Sequence, residues 1–183
     1  MKQNKSFLRK KFLKIIKNKK NLEINFNFNI IFNVIKKKFG NKKITIAGYY
    51  PSYYEVNILE FLKTASKKNF KVALPVVESS KSMSFQFWSY MDPLYVNNFG
   101  ILEPKKTKKK IIPDVILVPL VAFDKNLNRI GHGKGYYDRA LKKNKNDFIA
   151  LGIAYSFQKC RTIPVNKYDF KLDYIFTDQG IIS

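Results

Sequence analysis

The chain has 183 residues, 45% of them hydrophobic and 15% aromatic, enough for one domain with a sizeable core and too apolar for a largely disordered chain. Its formal net charge is +22, from 35 basic against 13 acidic residues, and all but four of the basic residues are lysine. A single cysteine, Cys160, excludes an intrachain disulfide, and a single histidine, His132, excludes a multi-histidine zinc site.

In chain order, residues 5–20 place Phe7, Leu8, Phe12, Ile15 and Ile16 at helical spacing opposite Lys and Arg. Residues 22–39 mix Asn with Ile, Phe and Val and are expected to form a second helix. Residues 44–49 (ITIAGY) are expected as a buried strand broken by Pro51, and residues 55–68 as the helix that follows. Residues 70–77 and 83–88 are two further strands. Residues 92–110, with Pro93, Gly100, Pro104 and a lysine run, are expected to be loop. Residues 114–119 (DVILVP) form a continuous apolar run of the kind buried on both faces of a parallel sheet. Residues 123–135 carry turn residues, a helix is expected at 136–142, and strands at 150–155 and 174–177. Strands alternating with helices predict a single α/β domain over 1–183, a mostly parallel open sheet between helices in three layers.

The basic N-terminal stretch lacks the 7–15-residue apolar run of a secretory leader, and no stretch approaches the ~18 apolar residues of a membrane span. The cytoplasm is the expected compartment and no membrane is expected as a partner. Arginine occurs only at positions 9, 129, 139 and 161, whereas groove-reading proteins lean on the guanidinium fork. The lysines are spread along the whole chain and are expected as a solvated surface that attracts polyanions, with no specific nucleic acid as partner. A lysine-rich RNA-binding protein is the alternative reading. Its stacking motifs, zinc knuckles and G-x-x-G loops are missing.

Chemistry is concentrated in Arg129-Ile-Gly-His-Gly-Lys-Gly-Tyr-Tyr-Asp-Arg139, which follows the buried run and opens the helix expected at 136. Glycines at 131, 133 and 135 can adopt positive φ and let backbone N–H groups converge on an anion. The N-terminus of the following helix adds its dipole, Arg129 and Lys134 add fixed charge, and Asp138 can hold Mg²⁺ between them. A mobile hairpin is the simpler reading of three alternating glycines taken alone. The spacing is not that of a Walker A loop.

The string R-I-G-H-G-K-G-Y-Y-D-R, preceded by L-V-P-L-V-A-F-D, resembles the signature of the 5-formyltetrahydrofolate cyclo-ligase family, also called methenyltetrahydrofolate synthetase. Further matches run along the chain: K-S-F-L-R with Lys5 and Arg9, Tyr50, Glu55, Phe99 in F-G-I-L-E-P, Gln158, Pro164 and D-F-K-L-D at 169–173. The resemblance implies ATP- and Mg²⁺-dependent cyclisation of 5-formyltetrahydrofolate, with or without a polyglutamate tail, to 5,10-methenyltetrahydrofolate with release of ADP and phosphate. By match, Arg129, Lys134 and Tyr136 are the catalytic positions. The nucleotide is expected on Lys5, Arg9, Arg129, Gly131, His132, Gly133, Lys134, Gly135, Tyr136 and Tyr137. The folate is expected on Tyr50, Glu55, Phe99 and Tyr136, and the metal on Asp138 and Asp173. Asp124 is expected to set the turn ahead of Arg129, and a monomer is expected. The chain departs from the family at Asn57 and Ile58, where an acid and a threonine are usual, and at Tyr168, where the family has His. His132 occupies a variable position. A nucleotide-binding paralogue without folate turnover is the alternative that Asn57 and Ile58 suggest.

Overall fold

The computed structural model describes residues 4–19, 23–107, 110–143 and 148–183. Helix α1 (Lys5–Lys19) buries Leu8, Phe12 and Ile16, one residue per turn, as the 3.6-residue period requires. Helix α2 (Asn29–Phe39) is shorter than expected, because residues 23–28 run without helix. Their burial alternates, and the rings of Phe26 and Phe28 stack 5.6 Å apart and reach Phe176. In that segment a period of two outcompetes weak helix propensity.

Strand β1 (Thr45–Ala47) is followed by helix α3 (Leu59–Lys67), then β2 (Lys71–Ser79) and β3 (Ser82–Phe87). Helix α3 begins later than the expected residue 55. Glu55 Oε2 accepts from the Ser52 amide at 2.7 Å and Asn57 Oδ1 from the Leu59 amide at 3.0 Å, so short polar side chains hold a turn there instead. The expected loop at 92–110 contains an antiparallel hairpin, β4 (Leu94–Val96) with β5 (Leu102–Pro104). Lys108 and Lys109 lie outside the described residues. Strand β6 (Val115–Pro119) leads into a second hairpin, β7 (Ala122–Phe123) with β8 (Arg129–Ile130). Helix α4 (Tyr136–Lys143), β9 (Ile149–Ile153), β10 (Tyr174–Thr177) and β11 (Gly180–Ile182) complete the order.

The main sheet has the order β11-β10-β9-β6-β1-β2-β3. Its five central strands are parallel, and β3 and β11 close the two edges antiparallel. Alternate residues of each strand feed opposite faces. Ile46, Leu74, Leu117 and Leu151 meet α2 and α3, while Ala47, Ala73, Val118 and Ala150 meet Leu141 of α4. This is the expected three-layer α/β arrangement. Helix α1 belongs to neither layer: its apolar stripe packs on Val121, Ala122 and Ile130 at the second hairpin.

The amino edge of the sheet is tied by two aspartates. Asp114 exchanges backbone and side-chain bonds with Thr45, its Oδ2 accepting the Thr45 amide at 2.7 Å. Asp173 does the same with Ala150, also at 2.7 Å. The opposite, carboxyl edge is where loops are free to build a site.

The second hairpin owes its shape to Asp124, which is fully buried. Its Oδ1 accepts from the amides of Asn126 and Asn128 at 2.9 and 3.1 Å. Its Oδ2 accepts from Asn128 Nδ2 at 3.1 Å and the Ile163 amide at 2.9 Å. Removing the carboxylate strands buried donors, so Asp124→Ala should cost about 3 kcal/mol of stability. A urea titration should show a lower midpoint with an unchanged slope. A midpoint equal to that of the parent chain would disprove the structural role.

Candidate active site

Beyond the carboxyl ends of β1, β2 and β6 lies a cavity of about 710 Å³. One wall is the turn between β8 and α4. There Gly133 and Gly135 have φ of 102° and 68°, conformations open to glycine and strained for other residues. Gly131 does not take positive φ; it contributes its carbonyl, which accepts from Arg9 Nε at 2.8 Å. The Arg9 guanidinium also lies over Gly133, with Cζ 3.4 Å from where a Cβ would stand. Helix α1 is thereby docked onto the glycine turn through a charged side chain.

Lys5, from the first turn of α1, pairs with Asp169, whose Oδ2 also accepts the Asn166 amide at 2.7 Å. Lys134 Nζ lies 5.2 Å from the centre of the Phe99 ring, and Phe99 and Tyr136 stand 6.2 Å apart at 59°. Arg139 packs over Tyr136 at 5.2 Å and donates to the Lys134 carbonyl at 2.9 Å. The hairpin tip that carries Phe99 is therefore linked to the glycine turn by cation–π contacts.

The far wall comes from the turn after β1, with Tyr50 and Glu55, and from Pro75 and Val77 of β2. Glu55 Oε1 faces His132 Nε2 at 3.4 Å across the cavity. Tyr49, just below, donates to the Val56 carbonyl at 3.0 Å. Burial, and after it the Glu55 carboxylate, push the Tyr49 hydroxyl well above the usual phenol range.

Arg129 is the buried cation of the site. Its Nη2 donates to Asp138 Oδ1 and its Nη1 to the Phe170 carbonyl, both at 2.6 Å. Asp138 Oδ1 also accepts the Phe170 amide at 3.1 Å, so both polar groups of Phe170 are held by this pair. Burial lowers the guanidinium's pKa, and Asp138 and then Asp169 act the other way. It stays charged, as guanidinium does at any pH a protein tolerates. Arg129 and one oxygen of Asp138 are thus committed to each other, and Asp138 Oδ2 is the oxygen left for a ligand.

Fourteen of the sequence-predicted positions line this one cavity: Lys5, Arg9, Tyr50, Glu55, Phe99, Arg129, the run from Gly131 to Tyr137, and Asp138. Asp173 does not. It precedes β10 at the amino edge, exposed, with its carboxylate on Ala150, so its expected place beside the metal is corrected. The carboxylate that the same D-F-K-L-D string does bring into the cavity is Asp169. A residue immediately ahead of a parallel strand sits at the strand's amino end, away from the ligand edge, and that rule could have chosen between the two. Also unforeseen at the lining are Tyr54, Asn97, Glu103 and Asn166. Asn57 and Ile58 are not at the lining: Ile58 is core and Asn57 caps the turn into α3. Cys160 is half-buried, and burial followed by the Asp124 charge raises its thiol pKa, which suits packing and not nucleophilic work.

Tyr137 presents its ring to the cavity while its hydroxyl is buried, the one buried side-chain polar atom without a partner among the described residues. An unpaired buried hydroxyl is a net cost. Tyr137→Phe should therefore raise the stability of the ligand-free protein by about 1 kcal/mol, measured as a higher melting temperature. A lower one would show that the hydroxyl has a partner in solution.

The model of the family described as 5-formyltetrahydrofolate cyclo-ligase matches residues 1–178 of the chain. The 5-formyltetrahydrofolate cyclo-ligase of Haemophilus influenzae is 35% identical over 134 residues, spanning 69% of this chain and 72% of that one. The Mycoplasma pneumoniae protein of the same name is 36% identical over 136 residues, 74% and 73% of the two chains. Among solved structures, the 5,10-methenyltetrahydrofolate synthetase of Aquifex aeolicus superposes with a TM-score of 0.72 at 32% identity, covering 97% of this chain and 91% of that one. That of Mycoplasma pneumoniae gives 0.68 at 27% identity, covering 94% and 98%. With this cavity at its centre and a family match over nearly its whole length, the chain belongs to the 5-formyltetrahydrofolate cyclo-ligase family.

Proposed function

We propose that this chain catalyses the ATP-dependent cyclisation of 5-formyltetrahydrofolate to 5,10-methenyltetrahydrofolate, with release of ADP and phosphate. The observation that carries the reading is one cavity with two chemistries. A glycine turn flanked by Lys5, Arg9 and Lys134 suits a polyphosphate, and a wall of Tyr50, Tyr136 and Phe99 suits a flat pterin.

A formamide oxygen is a poor leaving group, so ring closure needs it converted to a better one. In the proposed sequence the formyl oxygen attacks the γ-phosphate, ADP leaves, and an N5-iminium phosphate forms. Folate N10 then attacks the activated carbon, and phosphate departs while the N10 proton is lost to it or to water. Phosphoryl transfer is chiefly positioning and charge stabilisation, so no protein nucleophile is required. Lys134 and the turn's N–H groups would stabilise charge on the transferring group. Lys5 and Arg9 would hold the nucleotide from α1. Arg129 would act mainly by fixing Asp138 and the 166–170 segment. Glu55 would accept hydrogen bonds from the pterin. A divalent cation such as Mg²⁺ would suit the hard oxygen donors present; Asp138, and Asp169 on exchange of its Lys5 partner, would hold it, and it would supply neutralisation of phosphate charge.

We take a monomer as the working unit. No helix among the described residues is long and apolar enough to cross a membrane. We place the reaction in the cytoplasm, where folate and ATP are both present. The lysine-rich surface would favour a polyglutamylated substrate through long-range attraction.

Purified protein mixed with 5-formyltetrahydrofolate and MgATP should generate the ultraviolet absorbance of the methenyl product, strictly dependent on ATP. Absence of product at any enzyme concentration would sink the assignment. Lys134→Ala should lower turnover by about 100- to 1,000-fold, while the exposed helix residue change Lys143→Ala leaves it within about twofold. Equal effects would place the phosphate elsewhere.

A further inference from the structure

The contact between His132 and Glu55 joins two parts of the cavity that the chain builds separately. His132 sits in the glycine turn between Gly131 and Gly133, and Glu55 sits in the turn after β1. Both line the cavity, His132 partly open and Glu55 largely enclosed, with side-chain exposures of 38% and 11%. One carboxylate oxygen of Glu55 is fixed by the Ser52 amide at 2.7 Å, and the other faces His132 Nε2 at 3.4 Å. The imidazole is thus the side chain that faces that second oxygen across the cavity. At 3.4 Å the two are in register for a hydrogen bond that a small movement would complete.

On the other side, the backbone that carries His132 is braced by one residue. Arg9 holds the Gly131 carbonyl and covers Gly133, so the residues before and after His132 both move with the turn. The turn's conformation sets where the ring meets Glu55. An anion that orders the turn therefore also orders the ring, and through it the carboxylate. The contact does not require a charged histidine, because a neutral imidazole with its hydrogen on Nε2 also donates to a carboxylate.

We propose that His132 is a positioning residue that couples phosphate occupancy of the glycine turn to the orientation of Glu55, so that bound nucleotide presets the folate side of the cavity. The inference rests on the reading that the turn holds ATP and Glu55 faces the folate. Its consequence is positive cooperativity between the two substrates, and by linkage the effect is the same in either direction. It assigns a use to the nest position that departs from the rest of the motif in carrying a ring donor.

Calorimetric titration tests this without turnover. The dissociation constant of 5-formyltetrahydrofolate is measured alone and with a saturating non-hydrolysable ATP analogue and Mg²⁺. In the parent chain the analogue should tighten folate binding by about 5- to 20-fold, within the usual range of such couplings. In His132→Leu, which keeps bulk but has no donor, the ratio should collapse to about 1, whatever its affinity for the analogue alone. His132→Gln, whose amide nitrogen can take the place of Nε2, should restore most of the ratio. Glu55→Gln, measured from the other side as tightening of the analogue by folate, should also reduce it. A ratio in His132→Leu equal to that of the parent would overturn the proposal, as would no coupling in the parent. Weaker analogue binding with the ratio retained would overturn it too, by making His132 a nucleotide contact only. A parent chain that binds neither ligand would instead bring down the functional reading on which the proposal rests.

Discussion

The site depends on a buried ion pair. Arg129 is enclosed at the base of the cavity and cannot be left without an anion, since an isolated buried charge is among the most costly features a fold can contain. Asp138 answers it, and both close on the backbone of Phe170. Three segments distant in sequence are fixed by this arrangement: the β8 strand, the first turn of α4 and the stretch leading to β10. Once Phe170 is held, Asp169 must project toward the cavity, and Lys5 of α1 finds its partner there. The ion pair is therefore the keystone through which a C-terminal segment and an N-terminal helix reach the same glycine turn. It also explains why Arg129, the most obvious cation of the motif, is poorly placed to move with a substrate.

Two other cations at the cavity behave differently. Arg9 is held by a backbone carbonyl, and Lys134 rests over the Phe99 ring. Neither is locked into a buried carboxylate, so each can exchange its present partner for a phosphate oxygen at small cost. The chain as a whole is strongly basic, yet that charge is mostly lysine on solvated surface, where screening by salt confines its influence to about 10 Å. The general charge acts on anions at a distance, while the few cations at the glycine turn offer them a defined place.

The parallel strands were legible because burial on both faces demands unbroken apolar runs, as in Val115–Pro119, which is buried throughout. Helix α1 was legible from its stripe. Residues 23–28 were misread as helix although polar and apolar residues alternate there, and the packing of Phe26 and Phe28 against Phe176 goes with that extended course. The β4–β5 hairpin was hidden by the prolines and lysines around it. Its pairing is stabilised from outside, through Glu103, which accepts from the Val77 amide of β2 and from Asn97. No local signal in residues 92–110 announces that partner.

By itself the amino-acid sequence determined the α/β class, the glycine turn and the family, because each is written in local order: apolar runs, glycine spacing and a string of eleven residues from Arg129 to Arg139. It also placed about half of the cavity's lining, the glycine turn above all. What only the tertiary structure decided is how those residues are partnered. Asp169 and Asp173 lie in one short string and are chemically alike, but one faces the carboxyl edge and the other ties the amino edge to Ala150. His132 and Glu55 are far apart in the chain, and their meeting across the cavity depends on where β1 and β8 end in space. Hydrogen bonds and ion pairs act over a few ångströms, and distances of that size between remote segments are a property of packing, which no local pattern encodes.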